Sequence, residues 1–561
     1  MEPAAAAGFR LNNVFNRISA NNLRGDLFGG VTAAVIALPM ALAFGVASGA
    51  GATAGLWGAV LIGLFAALFG GTPTLISEPT GPMTVVMTAV IASLTARNPE
   101  HGMAMAFTVV MLAGLFQIGF GVLRLGRYVT QMPYTVISGF MSGIGLILII
   151  LQLGPFLGQA SPKGGVIGTL QSLPQLFSNA RPLEVCLAVL TLAILWFTPK
   201  QVKRIAPPQL VALVVGTLVS LPLLGNAGAD DLRRIGEIAS GFPQLQLPMF
   251  TAGELQLMVV DAAVLGMLGC IDALLTSVVA DSLTRTEHNS NKELIGQGLG
   301  NLVSGLFGGL PGAGATMGTV VNIQSGGRSA LSGISRAVIL MLVILLGAQL
   351  AAEIPQAVLA GIALKVGVDI VDWSFIRRAH KISLNGALIM YLVIGLTVLV
   401  DLITAVFVGV FIANILTIDK MSALQSKSVK SVSTGDGDLN ITSEERQLLD
   451  QGNGQILLFQ LNGAMIFGVA KAISREHNAI GECKAVVFDL SEVSHLGVTA
   501  ALAVENAVEE AIEVGRQVFV VGASGTTRRR LEKLGLFNKL PAQQTELERY
   551  QALQTAVAAL A

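Results

Sequence analysis

Between residues 27 and 417 the chain is a succession of apolar runs, and that feature leaves few folds open. In hydrocarbon every backbone N–H and C=O must be satisfied inside the protein. The runs fall near 27–50, 55–70, 103–123, 134–153, 184–198, 208–224, 257–280, 294–310, 336–352, 356–370, 384–400 and 402–417. The clearest approach the roughly 20 apolar residues that a spanning helix needs. Only 12% of the 561 residues are charged, against about 25% in soluble proteins. A polytopic, all-α membrane domain is therefore expected. Lys+Arg and Asp+Glu balance at 35 each, so no bulk charge points to nucleic acid. Arg10, Arg17 and Arg24 precede the first run without a cleavage pattern, which predicts that this helix is retained as a span.

Two stretches in this pattern echo each other. Phe69-Gly-Gly-Thr-Pro73 is followed by Thr84-Val-Val86, and Phe307-Gly-Gly-Leu-Pro311 by Thr319-Val-Val321. Each follows a long apolar run and is rich in Gly, Pro and Thr. Interrupted apolar segments at corresponding places in two halves mark the binding sites of secondary transporters. The short apolar pieces behind the echoes, 84–95 and 316–323, read as half-helices preceded by extended backbone. They raise the count from twelve spans to fourteen, or seven plus seven. An odd number per repeat inverts the second copy.

The basic residues fit this count. Arg10/Arg17/Arg24, Arg124/Arg127, Lys200/Lys203/Arg204, Arg328 and Arg377/Arg378/Lys381 all fall on one side, which the positive-inside rule makes cytoplasmic. Arg233/Arg234 are the exception, beside Asp230/Asp231 in a long loop. Both termini are expected in the cytoplasm. Residues 1–421 form the membrane domain in this reading. The Ser-, Asp- and Gly-rich stretch 422–453 is a linker, and 454–561 a small soluble α/β domain. In that domain 455–461, 485–489 and 517–521 read as strands, and 498–514 and 526–536 as helices. No Walker loop, HExxH or GxSxG is present, so no enzyme is expected. The three cysteines, Cys186, Cys270 and Cys483, read as small buried hydrophobes. The five histidines are too dispersed for a metal or catalytic site.

Asp272 is the sharpest single residue. It lies well inside the run 257–280, where an ionised carboxylate costs at least about 2.5 kcal/mol on insertion scales and so faces a cavity, partner or ion. Thr276 stands one turn on, on the same face. Together they offer hard oxygens to a small cation; alternatively, Asp272 is protonated or Arg-paired and merely locks helices together. Free N–H groups where the half-helices begin suit a small oxyanion. Aligning Thr84 with Thr319 sets Thr80 opposite Ala315. Thr80 and the backbone of Ala315 and Thr316 are the candidate anion contacts, with an N-cap role for Thr80 compatible with binding. Glu78 reads as a gate or structural pair rather than a ligand. Glu353 and Asp401, at the ends of runs, read as interfacial.

The broken-helix signatures, Asp272-Ala-Leu-Leu-Thr276, Val321-Asn-Ile-Gln-Ser-Gly-Gly-Arg328 and the C-terminal α/β domain resemble the SulP anion permeases (solute carrier family 26). Arg24–Gly30, Ser77–Thr84 and Gly312–Val321 resemble its bicarbonate-carrying branch. The resemblance covers nearly the whole chain. It implies fourteen spans in a 7+7 inverted repeat, split into core and gate, and a C-terminal STAS domain through which the protein forms a homodimer. The implied activity is sodium-dependent bicarbonate uptake across the plasma membrane by elevator-like movement of the core. Carried over by resemblance, the sodium ligands are Asp272, Thr276, Gly314, Ala315 and Thr316, and bicarbonate lies beside Thr80 and the span that begins near Thr316. Many relatives carry a cation near the position of Gly318. Its absence here favours sodium as the anion's counter-charge. Gly497 and Thr499 stand where related anti-sigma antagonists have Asp and a phosphorylatable Ser, so a dimerisation or regulatory role fits better than a phospho-switch. The alternatives are a proton-coupled sulfate or other oxyanion permease of the same fold, a membrane sensor acting through the STAS domain, and a channel.

Overall fold

The computed structural model describes residues 15–16, 22–126, 133–203, 206–221, 232–236, 241–400, 402–426, 429–433, 441–466, 473, 483–541, 544–545 and 547–560. Arg10, Arg17, Arg127, Arg204, Asp230, Asp231 and Asp401 lie outside them. The chain divides into two compact units, Met1–Val410 and Phe411–Ala561.

Apolar helices in two sets of seven build the first unit, the last of them running on into the second. The first set is α1 (Leu23–Ser48), α2 (Ala52–Phe69), α3 (Gly81–Arg97), α4 (Gly102–Val122), α5 (Tyr134–Phe156), α6 (Pro182–Phe197) and α7 (Pro208–Ser220). The second is α8 (Leu255–Thr284), α9 (Ser290–Leu306), α10 (Thr316–Gln324), α11 (Ala330–Ala352), α12 (Gln356–Ile370), α13 (Leu384–Leu399) and α14 (Leu402–Ser426). Helices α3 and α10, third in each set, each follow a two-residue strand, β1 (Ser77–Glu78) and β2 (Ala313–Gly314). At 1.5 Å per residue α10, with 9 residues, is roughly 14 Å long, half the hydrocarbon thickness.

Packing sorts these helices into two bodies. Helices α1–α4 pack with α8–α11, α9 lying along both α2 and α4. Helices α5–α7 pack with α12 and α13, and α14 joins them where Gly409 abuts Val393 and Val136. These are the core and gate. Small residues permit the close approaches, as in membrane bundles generally. A Cβ on Gly55 would stand 2.0 Å from the Ala41 carbonyl oxygen, where α2 turns back on α1. Outside the bundle, Trp373–Ile382 forms a short helix N-capped by Asp372.

The second unit carries β3 (Val429–Val432), α15 (Ser443–Gln451), β4 (Ile456–Met465), β5 (Ala485–Leu496), α16 (Val498–Glu513), β6 (Gln517–Val521), α17 (Gly525–Lys533) and α18 (Arg549–Leu560). The sheet order is β3-β4-β5-β6, with β4, β5 and β6 parallel and β3 antiparallel at the edge. Alternation along β5 fills both faces: Val486 and Phe488 meet Val504 and Val508 of α16, while Val487 meets Leu449 and Leu553 on the other side. Parallel strands covered on both faces read as continuous apolar runs, as β4 and β5 do.

Three expectations need correction. The stretch 422–453 holds the end of α14, edge strand β3 and helix α15. Its polar composition hides a four-residue strand and a capping box between Thr442 and Glu445. Cys186 is exposed on α6 rather than buried. The stretch 84–95 is no half-helix, since it belongs to α3, whose 17 residues run roughly 26 Å. Arg233 and Arg234, the exceptions to the one-sided basic pattern, are ion-paired: Arg233 reaches fully buried Glu184 at 3.0 Å and Arg234 reaches Glu353 at 2.6 Å.

Candidate functional site

The two interrupted segments meet. Strand β1 pairs antiparallel with β2, Ser77 opposite Gly314 and Glu78 opposite Ala313, and the Ala315 N–H donates to the Ile76 carbonyl at 2.8 Å. Proline at 73, 79 and 311 keeps these stretches out of the helical register. Glycine permits the crossing: a Cβ on Gly312 would stand 2.3 Å from the Glu78 carbonyl oxygen. The echo is functionally uneven, for Thr84 Oγ1 donates to its own helix at Thr80 O, whereas Thr319 Oγ1 accepts from the Ile76 N–H at 3.0 Å.

Non-helical backbone at this depth requires partners, and core side chains supply them. Asn301 of α9 accepts from the Gly312 N–H at 2.8 Å and donates to the Gly312 carbonyl at 2.9 Å. Gln297, one turn earlier, donates to Ser77 Oγ at 2.6 Å and to Glu293 Oε1 at 2.8 Å, and Glu293 accepts from the Thr72 N–H. Arg336 of α11 donates to the Ser77 carbonyl at 3.1 Å and forms a buried ion pair with Glu78. That pair agrees with a structural role for Glu78. Arg336 itself escapes sequence reading because it stands at the start of the run 336–352 and looks interfacial. The signal was the unmatched Glu78 in the opposite broken segment.

Both interrupted helices begin at this crossing, the short α10 and the longer α3. Thr80 and Ala315 are their N-cap residues, both extended, and neither makes a side-chain cap. The first intrahelical bonds run from Thr84 N to Thr80 O and from Thr319 N to Ala315 O, each 2.9 Å. Ahead of them the N–H groups of Gly81 and Met83, and of Thr316, Met317 and Gly318, have no acceptor within their own helices. Thr80 is thus the N-cap by position but does not cap with its side chain; its Oγ1 is buried without a hydrogen-bond partner.

Helix α8 passes alongside. Thr276 Oγ1 donates to the Gly314 carbonyl at 2.9 Å and lies 3.0 Å from Thr316 Oγ1. Gly314 fits against α8 closely enough that a Cβ would lie 3.2 Å from Ala273 Cα. One turn before Thr276, Asp272 is 8% exposed, and its Oδ2 has no hydrogen-bond partner. The Thr80 hydroxyl stands beside this carboxyl without hydrogen-bonding geometry. Among the described residues no Arg, Lys or His pairs with Asp272, so an Arg-paired helix lock is not seen. The fold thus brings Asp272, Thr276, Gly314, Ala315, Thr316 and Thr80 into one cluster, with Ala315 half-buried and Thr316 exposed. The donor set is a carboxylate, two hydroxyls and a backbone carbonyl, oxygens suited to a hard cation, next to two helix N-termini suited to an anion.

Two broken helices crossing within a two-body bundle, followed by a sheet-and-helix unit, define a class of membrane anion carrier. Residues 23–393 match the Sulfate permease family and residues 447–549 match the STAS domain. The chain belongs to the sulfate permease family. It is 72% identical over 547 residues to the "Bicarbonate transporter BicA" of Synechocystis sp., covering 98% of this chain and 96% of the relative. A solved structure of "the transmembrane domain of a cyanobacterium bicarbonate transporter BicA" shares 74% identity at a TM-score of 0.66, covering 70% of this chain and 99% of that one. Murine Solute Carrier 26 family member A9, an anion transporter solved in the inward-facing state, shares the fold over 100% of this chain and 96% of its own, with a TM-score of 0.82 at 17% identity.

Proposed function

We propose that this protein takes up bicarbonate in symport with sodium. The observation that carries the reading is the buried Asp272 carboxyl, its Oδ2 without a hydrogen-bond partner, clustered with Thr80 at the start of α3 and, through Thr276, with the Gly314 carbonyl and Thr316 at the start of α10. A lone carboxylate beside an anion site repels the anion. A sodium ion held by Asp272, Thr276 and the Gly314–Thr316 segment neutralises it and makes the site fit for bicarbonate at Thr80 and the Ala315 and Thr316 N–H groups. The two helix ends together supply about one positive unit, roughly half a unit each, which offsets one of the two negative charges, Asp272 and bicarbonate, and leaves the other uncompensated. Glu78 and Arg336 cancel one another and leave the balance unchanged. The names borne by near-full-length relatives support bicarbonate as the substrate.

The core carries the site between two access states while the gate stays in place. Arg24, Arg124, Arg328, Arg377, Arg378 and Lys381 mark the cytoplasmic side of the plasma membrane. Both termini and the STAS domain lie there, and the STAS domain joins two copies as a homodimer. Residues 1–421 are the transport domain.

The test is uptake of labelled bicarbonate and labelled sulfate by a host that lacks its own carriers, in sodium or in potassium medium. Saturable bicarbonate uptake that needs sodium is the expected result. Sulfate uptake driven by protons, or bicarbonate uptake indifferent to sodium, overturns the proposal.

A further inference from the structure

A cavity of about 500 Å³ opens beside the start of α10, with Met317 and Gln324 of the core on one wall and Gln209, Lys365 and Asp369 of the gate on the other. Gln209 Nε2 reaches across to Met317 Sδ at 3.7 Å. Its lining starts one residue after Thr316 and follows α10 through Val321 and Gln324 to Ser325, toward the cytoplasmic side that Arg328 marks, so it offers a route on that side for an anion leaving the α3 and α10 N-termini. Among the described residues, Lys365 and Asp369 are the charged ones in its lining. Lys365 Nζ is held by both Asp369 oxygens, at 2.5 and 2.6 Å. The lysine side chain is 17% exposed and the aspartate 42%, so the cation lies inside and its partner toward water.

This pair does little for its own helix. Basic before acidic at i,i+4 is the weaker order, and an aspartate in the last turn of α12 meets the negative helix end. We propose that Lys365 is a second anion position on the gate, exchanging Asp369 for the substrate as it passes. Arriving bicarbonate takes up the ammonium, and Asp369 turns to solvent. When bicarbonate leaves, Asp369 returns, and the gate wall is neutral again. An unpaired lysine would hold the anion, whereas a lysine with a returning counter-ion releases it. Sodium travels with the core, while this cation stays with the gate, so the two charges act in sequence.

The inference rests on the bicarbonate reading above. The test is transport by the full chain in inside-out membrane vesicles, where the cavity side faces the bath, with labelled bicarbonate added at saturating sodium. Loss of one charge-assisted hydrogen bond in K365Q is expected to raise half-saturating bicarbonate roughly tenfold. The maximal rate and half-saturating sodium are expected to change less than about twofold, and K365R to restore most of the affinity. D369N, which leaves the lysine unpaired, is expected to lower half-saturating bicarbonate. Unchanged half-saturation in K365Q, or a fall in maximal rate that K365R does not rescue, overturns the inference. Wild-type vesicles that carry no bicarbonate refute the substrate reading instead, so the two failures are distinct.

Discussion

Asp272 and Arg336 show what single residues reveal. Asp272 was legible because a lone carboxylate deep in an apolar run has few inexpensive fates. Arg336 was not, because its depth depends on how α11 packs behind β1, and sequence position alone put it at a run's edge. The two make different predictions. D272N keeps shape and volume and is expected to raise half-saturating sodium by about tenfold or more, since the site loses its one full negative charge; flux against sodium concentration reads this directly. T80V removes a hydroxyl that has no partner within the protein. Stability should hold within about 0.5 kcal/mol, while half-saturating bicarbonate rises roughly fivefold. By contrast, R336M leaves Glu78 buried without its ion pair. The expected cost is about 3–5 kcal/mol, seen as loss of folded protein in size-exclusion profiles, with partial recovery in the E78L/R336L double variant.

At the scale of elements, Gly and Pro announced both breaks, but not that the broken pieces would pair. Two-residue strands have no alternation to read, and the pairing needs Asn301, Gln297 and Arg336 from distant helices. Gly312 fixes the approach. G312A drives a methyl group into the Glu78 carbonyl, 2.3 Å away, and is expected to lower the thermal midpoint of the membrane unit and to abolish uptake. In the second unit the linker composition concealed β3 and α15. Helix α15 is secured by Glu445, which pairs with Arg549 of α18 at 2.8 Å, while Arg549 also holds Asp489 of β5 at 3.0 Å. Burial pushes the Glu445 carboxyl up, but hydrogen bonds from Arg549 and Thr442 and the charge of Arg549 together outweigh it and hold the group below its ordinary value. A carboxyl lowered by folding contributes stability that is complete above the unfolded value, about 4.3. That contribution is lost as pH falls through the lower folded value. R549M is expected to remove part of this acid sensitivity, read by hydrogen exchange of β5 between neutral and acidic pH in the full chain.

Across the whole molecule, the odd repeat was countable from apolar runs because each half contributes one break. The division into core and gate was not, since α1–α4 find α8–α11 only in three dimensions. That division turns the cluster at Asp272 from a binding site into cargo: its residues all come from core helices and the segments between them, while Lys365 belongs to the gate. The most direct measurement uses proteoliposomes with equal bicarbonate on both sides and sodium raised outside only. Wild-type protein should accumulate labelled bicarbonate above equilibrium until the sodium gradient decays, and D272N should do so only at sodium concentrations about tenfold or more higher. Accumulation by wild-type that proceeds unchanged without a sodium gradient, or by D272N at the wild-type rate and sodium affinity, would contradict sodium coupling at this site.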